Sequence, residues 1–306
     1  MGFIKAVVQF FMVVFGVVTL VFLVLRLTPG DPIETILGEQ PQNIAPDMRK
    51  RLESDLGLDL PAHQQLLSYY AKLAHLDLGY SFTQKKPVKT LIGDALPSTL
   101  FLALSASFLA NIFGLFIGAV AALAQKRALS RFLIFYSSFF QSLPTFWVGP
   151  LLIIAFALHW PGLPVSGFDE PLGLVLPSIT LALGMSGLLA RACQEAFEQC
   201  LKSDYIRTAR AKGLPEWVVV LKHILPNALP PLVVISSLQL GHLLAGALVT
   251  ETVFDWPGIG SLMYDAVSQR DYPMIQGIVI VVATSYVFIN TLADRVAARF
   301  SIQGSL

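Results

Sequence analysis

Long apolar runs alternate with short polar segments along the whole chain. A helix needs about 20 predominantly apolar residues to cross the hydrocarbon core of a bilayer. Six runs come close to that length or exceed it, so the pattern predicts six transmembrane helices. They cover Ile4–Leu27, Leu100–Ala124, Phe132–Leu158, Leu172–Leu189, Leu229–Val249 and Ile275–Ala293.

The first run is predicted to be a retained anchor and not a cleaved signal peptide. Its apolar stretch is longer than the usual hydrophobic core of a signal, and the following Thr28–Pro32 has no small-residue cleavage site. Composition agrees with a membrane protein: 55% of the 306 residues are hydrophobic and 13% are charged, against about 25% charge in soluble domains. The net charge of +1 gives no indication of a nucleic-acid partner.

Lysine and arginine are unevenly distributed between the short loops. Because such residues favour the cytoplasmic side, both termini are expected in the cytoplasm and segment 28–97 outside. The expected parts are the first helix (1–27), the external segment (28–97), a five-helix core (98–298) that contains cytoplasmic segment 196–230, and a cytoplasmic tail (299–306). The cytoplasmic loops carry Lys126, Arg127 and Arg131 after the second run, and Arg191, Lys202, Arg207, Arg210, Lys212 and Lys222 after the fourth.

The external segment is predicted to form a small helical cap. Pro46–Leu56 and Pro61–Leu76 both show apolar residues at helical spacing, and a turn follows at Asp77–Gly79. Two roles are equally open for this cap. It either shields the outer mouth of the bundle or contacts a substrate carrier outside the cell.

Few polar residues interrupt the predicted spans. Asn111, Gln141 and Asn290 either face a pathway or, more simply, join helices by hydrogen bonds. Gly114 and Gly118 are spaced to allow close helix approach. The near absence of ionisable groups from the span centres argues against a proton-coupled transporter and suits a channel that leaves cargo recognition to another protein.

Ser203–Pro231 is a basic, helix-forming segment between two apolar runs. Ser203 is a candidate N-cap, and its hydroxyl is expected to accept from free backbone N–H groups. Gly213 is expected to end the helix in the left-handed conformation, and Pro215 to begin a second short helix that extends to Leu225. The second helix is expected to lie parallel to the membrane surface. The segment is either an amphipathic helix on anionic lipid or a rigid knob for a soluble partner.

The stretch Asp204–Leu214 reads DYIRTARAKGL, and Leu225-Pro226 follows at a fixed distance. It resembles the cytoplasmic signature of ABC-importer permeases: Glu-Ala-Ala, three residues, Gly, nine residues, Ile, one residue, Leu-Pro. In detail it is similar, almost letter for letter, to the branch that imports di- and oligopeptides and nickel. Ala209 and Gly213 keep the general signature, whereas Arg207, Thr208 and His223 replace its Glu, first Ala and Ile.

The resemblance covers about residues 1 to 298. The tail after it departs from the family's usual Asp-Pro-Arg type ending, and Pro226-Asn227-Ala228 stands where the family commonly has Arg-Asn-Ala. Further motifs similar to that branch occur in the family's order. They are Leu56-Gly57-Leu58-Asp59 with Pro61, Asp77-Leu78-Gly79 with Ser81, Glu251-Thr252-Val253-Phe254, Trp256-Pro257-Gly258-Ile259-Gly260 and Arg270-Asp271-Tyr272-Pro273.

The resemblance implies an all-α, six-helix permease of the type I ABC importer fold in a bacterial inner membrane. Its implied partners are a second similar permease, two ATPase subunits that bind ATP–Mg, and an external substrate-binding protein; the cargo would be peptides, nickel or metal chelates, or glutathione-like molecules. The implied ATPase-coupling residues are Asp204, Tyr205, Ile206, Arg207, Thr208, Ala209, Arg210, Ala211, Lys212, Gly213, Leu225 and Pro226. Those implied to face the binding protein are Glu251, Trp256, Pro257, Gly258, Arg270 and Asp271, with Trp256 and Asp271 foremost.

No catalytic, cofactor or metal site is predicted within the chain itself. It lacks the Gly-x-x-x-x-Gly-Lys-Ser/Thr loop, so ATP hydrolysis must come from separate subunits. A stand-alone channel or ion-coupled transporter is the alternative, and dependence on an ATPase would exclude it. The histidines show no ligand spacing: His63, His75, His159, His223 and His242.

Overall fold

A computed structural model describes residues 2–27, 59–81, 83–157, 159, 163–164, 168, 170 and 172–303. The predicted helix 46–56 lies outside these residues. The elements are, in chain order, α1 (Gly2–Leu27), α2 (Ala62–Ala74), β1 (Tyr80–Ser81), β2 (Lys86–Pro87), α3 (Val88–Leu123), α4 (Arg127–Ser142), α5 (Thr145–Leu152), α6 (Val175–Leu201), α7 (Asp204–Ala211), α8 (Glu216–Val219), α9 (Leu225–Gly246), α10 (Leu248–Val253), α11 (Ile259–Ser268) and α12 (Tyr272–Gln303); π-helical turns follow α5 (Ile153–Ala157) and α8 (Val220–Ile224).

Five described helical runs are long and apolar enough to cross a membrane, and a sixth arises if α4 and α5 together form one span. The third predicted span is broken near Pro144, where the sequence indicates a kink or a helix boundary: α4 and the α5 segment are bent by 99°. The break falls at Leu143 and Pro144, both of which have extended backbones. Proline has no N–H to donate and pushes the preceding residue out of the helical conformation, which explains the bend.

The second span begins earlier than predicted. Helix α3 starts at Val88 and not at Leu100, and it continues through Pro97 to Leu123. Its 36 residues correspond to about 54 Å at 1.5 Å per residue, which exceeds a hydrocarbon core of about 30 Å. Part of α3 therefore lies beyond the hydrocarbon core.

The chain divides into two compact units: Met1–Ser98 with Pro257–Val287, and Thr99–Trp256 with Phe288–Leu306. This division places the boundary near the predicted one at residues 97 and 98 but separates 257–287 from the predicted core 98–298. Helix α12 runs on to Gln303, so the expected tail 299–306 begins as helix.

The first unit contains helix α2, which confirms the helix expected between Pro61 and Leu76. The Tyr70 ring stacks on Phe15 of α1 with 5.0 Å between the centroids. Its hydroxyl donates to the Phe15 carbonyl at 2.9 Å and lies 2.6 Å from the Thr19 hydroxyl. The strands β1 and β2 form an antiparallel hairpin. The apolar core of the first unit consists of Val88, Leu91, Ile92, Ile259, Ala266, Met274 and Ile278.

The second unit holds α3 and α6 in close contact through glycine. A Cβ atom added to Gly118 would lie 2.4 Å from the Ala190 carbonyl oxygen, and one added to Gly114 would lie 2.8 Å from the Leu189 Cβ. These distances confirm the predicted close approach at the two glycines. Only hydrogen fits at either position without displacement of α6.

Two of the three polar residues singled out in the spans join neighbouring helices. The Asn111 side-chain oxygen on α3 accepts from the Ser236 hydroxyl on α9 at 2.6 Å. The Gln141 side-chain oxygen on α4 accepts from the Arg191 guanidinium on α6 at 2.6 Å. Both contacts bear out the helix-joining interpretation.

Candidate functional site

The predicted helix of the polar segment forms as α7, Asp204–Ala211, with Ser203 at its N-cap position. The Ser203 carbonyl accepts from the N–H groups of Ile206 and Arg207 at 3.2 and 3.4 Å. The expected side-chain cap was wrong, since the Ser203 hydroxyl instead donates to the Gln199 carbonyl at 3.3 Å. Only Lys202 separates Ser203 from the end of α6. The Ser203 hydroxyl therefore lies within hydrogen-bonding distance of a carbonyl in the last turn of α6, and it bonds there instead of to the free N–H groups of α7.

The C-terminal end of α7 confirms the role predicted for Gly213. Its φ angle is +76°, in the left-handed region that favours glycine. The Gly213 N–H donates to the Arg210 carbonyl at 2.9 Å, and the Leu214 N–H to the Ala209 carbonyl at 3.4 Å. This is a Schellman motif. A Cβ atom at position 213 would meet nothing within 4 Å, so backbone conformation alone requires the glycine.

An ion pair connects α7 to the next helix across this turn. The Arg210 guanidinium donates two hydrogen bonds to the Glu216 carboxylate, at 2.8 and 3.1 Å. Pro215 occupies the position just before α8, one residue earlier than the first helical turn expected for it. Exposed ion pairs contribute little stability, but two parallel bonds fix the angle between the helices.

The inner face of α7 is anchored in the apolar core of the second unit. Ile206 is fully buried and Ala209 nearly so, one turn apart on the same face. Leu214 packs against the same core just after the turn. The core also receives residues from α6, α8 and α9: Leu189, Cys193, Ala196, Phe197, Cys200, Val219, Ile224, Ala228 and Leu232. Helix α7 therefore shares one apolar core with α6, α8 and α9.

The outer face of α7 is polar and mostly basic, and most of its side chains are exposed. The Arg207 side chain is 80% exposed and lies 3.6 Å from Asp204. Burial, and next a hydrogen bond with Cys200, raise the pKa of Tyr205, so this half-exposed phenol stays neutral. Just beyond, Trp217 and Leu221 also expose large apolar surfaces. The other exposed residues are Thr208, Arg210, Ala211, Lys212 and Gly213.

The return toward the spans differs from the expected separate surface helix. Helix α8, the π turn and α9 form one helical run from Glu216 to Gly246. The Leu225 N–H bonds to the Val220 carbonyl, five residues back. This wide turn comes just before Pro226, which has no N–H to continue an α-helical ladder. Leu225 packs against the same core as Ile206, whereas Pro226 is exposed.

The residues singled out between positions 251 and 271 are mostly buried. In the second unit, the Glu251 carboxylate is fully buried and accepts from the Thr99 hydroxyl at 2.7 Å. The Trp256 N–H donates to the Glu251 carbonyl at 2.8 Å. The Trp256 ring is 2% exposed and packs edge-on against Phe168. In this conformation neither side chain offers a surface to a partner.

In the first unit Asp271 is 3% exposed and caps α12. One carboxylate oxygen accepts from the Met274 N–H at 3.2 Å, and the other from the Ser81 and Thr83 hydroxyls at 2.5 and 2.6 Å. Asp271 therefore holds the hairpin against the start of α12. Asp followed by Tyr-Pro is an N-cap signature, which could have indicated this role from the sequence.

Three other residues singled out between positions 251 and 271 differ in exposure. Pro257 and Arg270 are exposed, whereas Gly258 is buried and is the N-cap residue of α11. The partner contact expected of this region stays a prediction, and of its six residues only Pro257 and Arg270 present a free surface. The sequence did not single out Trp217, Thr99 or Thr83. Ser81 was noted only as part of a motif, and the two threonines show no pattern by which the sequence alone would identify them.

Comparison with known proteins identifies the class of molecule. Residues 114–301, more than half of the chain, match the family described as binding-protein-dependent transport system inner membrane component. The chain belongs to this family. It is thus a permease subunit of an ABC importer, and this excludes the alternative of a stand-alone channel. Membership of the family also implies ATPase and substrate-binding partners.

Named relatives match the permease over nearly its whole length. It is 38% identical to the di/tripeptide transport system permease protein DppB of Pseudomonas aeruginosa, over 92% of this chain and 91% of that protein. It is also 38% identical to the glutathione transport system permease protein GsiC of Pectobacterium atrosepticum, over 98% of this chain and 97% of that one.

A solved structure confirms the fold. The inward-facing MetNI methionine ABC transporter superposes with a TM-score of 0.58 at 20% identity, covering 69% of this chain and 97% of that one. The permease therefore has the type I importer fold expected from its sequence.

Proposed function

We propose that this permease forms half of the pathway of an ATP-driven importer of short peptides. The named relatives transport di- and tripeptides or glutathione, all of them short peptides. Nickel and metal chelates are the other cargo class that the sequence resemblance implied. Cargo choice rests with the external binding protein, since the spans offer few ionisable side chains to grip a solute.

The complete importer contains a second homologous permease, two ATPase subunits carrying ATP–Mg, and the binding protein. Both termini and α7 lie in the cytoplasm, because the arginine- and lysine-rich short loops are on that side. Helix α7, with Asp204–Gly213 and the Leu225-Pro226 corner, is the element that meets an ATPase subunit.

The packing of Ile206 carries this proposal. A helix capped at its C-terminus by a Schellman turn and anchored in the core moves together with α6 and α9. When the ATPases close on ATP, their contact with α7 favours one of two arrangements of the spans. A surface helix held only by lipid has no need of an anchor in the protein core.

The test is transport in liposomes that contain both permeases, both ATPases and the binding protein. Labelled dipeptide, glutathione and a nickel chelate are offered in turn. We expect ATP-dependent uptake of dipeptide or glutathione that Gly213→Pro abolishes while the complex still assembles. Uptake by the Gly213→Pro complex at the wild-type rate refutes coupling through α7, and uptake of the nickel chelate alone refutes the peptide cargo.

A further inference from the structure

A basic pocket of about 370 Å³ lies where α3 ends, α4 begins and α6 ends. Arg127, Arg131 and Lys202 line it, together with Ser130 and Glu198. Its volume is within the range of about 300–1,000 Å³ typical of small-ligand sites. None of the coupling residues lines this pocket, so it is distinct from the outer face of α7.

The three cations lack counterions within the part of the chain that the structure describes. No ion pair joins Arg127, Arg131 or Lys202 to a carboxylate there. The Glu198 carboxylate instead accepts from the Gln194 side-chain amide at 2.8 Å, and that amide also donates to the Ser130 hydroxyl at 3.2 Å. With three positive charges against one negative charge, the pocket favours an anion.

The surroundings indicate what kind of anion fits. The pocket lies at the ends of α3 and α6, two of the helices that are long and apolar enough to cross a membrane. Directly after Arg131, α4 exposes an aromatic stripe of Phe132, Phe135 and Phe139 at helical spacing. Cationic side chains at one end of an exposed apolar stripe match an anionic lipid, with its phosphate at the cations and its acyl chains along the stripe.

We propose that this pocket binds the phosphate headgroup of an anionic phospholipid. The guanidinium groups of Arg127 and Arg131 provide paired donors for phosphate oxygens, and Lys202 adds a point charge. Because Lys202 immediately precedes Ser203 and α7, the bound lipid lies at the base of the coupling helix.

The test uses the assembled importer purified in mild detergent and native mass spectrometry of its bound lipids. Phosphatidylglycerol and phosphatidylcholine with the same acyl chains are added in parallel, and glycerol 1-phosphate and inorganic phosphate serve as competitors. We expect preferential retention of phosphatidylglycerol. A cation near an anionic headgroup contributes about fivefold in affinity, so Arg127→Gln with Arg131→Gln should lower retention roughly thirtyfold and Lys202→Gln about fivefold.

The matched control is Lys86→Gln with Lys89→Gln, which removes two exposed positive charges far along the sequence from the pocket. Retention in the control should equal that of the wild type. Equal retention of the two lipids overturns the proposal, as does displacement by inorganic phosphate at the concentration of the lipid. If the arginine pair fails to assemble, unchanged retention in Lys202→Gln overturns it. Loss of ATPase subunits from the arginine variant without loss of lipid assigns the pocket to a protein contact instead.

Discussion

Substitutions at Gly213 should reduce ATP-driven transport in an order set by backbone conformation and not by side-chain size. The φ angle of +76° is costly for residues with a Cβ atom. An L-residue there costs about 1–2 kcal/mol, whereas asparagine tolerates the left-handed region far better. Since a Cβ atom at position 213 would meet nothing within 4 Å, the substitutions differ in their backbone preferences and not in clashes with neighbouring atoms.

The expected order of coupled transport is Gly, then Asn, Ala, Val and Pro. For alanine, a cost of about 1–2 kcal/mol corresponds to roughly a 5- to 30-fold shift of the equilibrium away from the closed Schellman turn. Valine adds β-branching, and proline removes the N–H that donates to the Arg210 carbonyl. The assay is cargo-stimulated ATP hydrolysis in liposomes, with amide hydrogen exchange of α7 as the structural readout.

The reasoning is refuted if alanine couples as well as glycine. It is also refuted if asparagine reduces coupled transport as much as valine does. Asparagine and valine are similar in size, so equal losses of transport would follow side-chain size and would mean that a partner subunit packs against position 213. Protection of the α7 amides must fall in the same order as transport.

Four further results are expected. Ile206→Ala, which leaves a cavity at a fully buried site, should lower the stability of the permease by about 2–5 kcal/mol and uncouple ATP hydrolysis from uptake. The control, Ile112→Ala on the exposed face of α3, should leave stability and coupling unchanged. The opposite pattern contradicts the anchoring of α7. Gly118→Ala should lower the Tm of the permease, because its Cβ meets the Ala190 carbonyl, whereas Gly184→Ala has free space and should leave Tm unchanged or raise it. Asp271→Ala should destabilise the start of α12 by about 1–3 kcal/mol, the cost of buried hydrogen-bond donors left without an acceptor, seen as faster hydrogen exchange at Met274. A double-mutant cycle on Arg210 and Glu216 should give a coupling energy of only about 0.2–1 kcal/mol for this exposed pair, and a much larger value would mean that the pair is buried by a partner.

The sequence predicts the elements of this permease well where one local rule determines the outcome. Apolar run length finds the five helical runs long enough to cross a membrane, although α3 starts earlier than predicted. The left-handed requirement locates the end of α7 at Gly213. At Pro144 the sequence indicates a kink or a helix boundary but not its angle, because proline in a membrane helix is compatible with a mild kink as well as a sharp bend. The direction of the chain after Pro144 depends on packing against α6.

The burial of the residues singled out between positions 251 and 271 could not be predicted in the same way. Glu251 and Asp271 are charged and lie between apolar segments, which is typical of exposed loop residues. Their partners, Thr99 and Ser81, are distant in sequence, so no spacing brings them together before the chain folds. The ion pair of Arg210 with Glu216 likewise depends on the angle that the Gly213 turn imposes.

The most direct test of the account is site-specific photocrosslinking from α7 in native membranes. A photoreactive residue replaces Arg207, whose side chain is 80% exposed, and in a second strain the exposed Lys86. The account predicts a crosslink from position 207 to a P-loop ATPase and none from position 86. An ATPase crosslinked at position 86, or lipid and no protein crosslinked at position 207, would contradict the claim that this helix couples the permease to ATP.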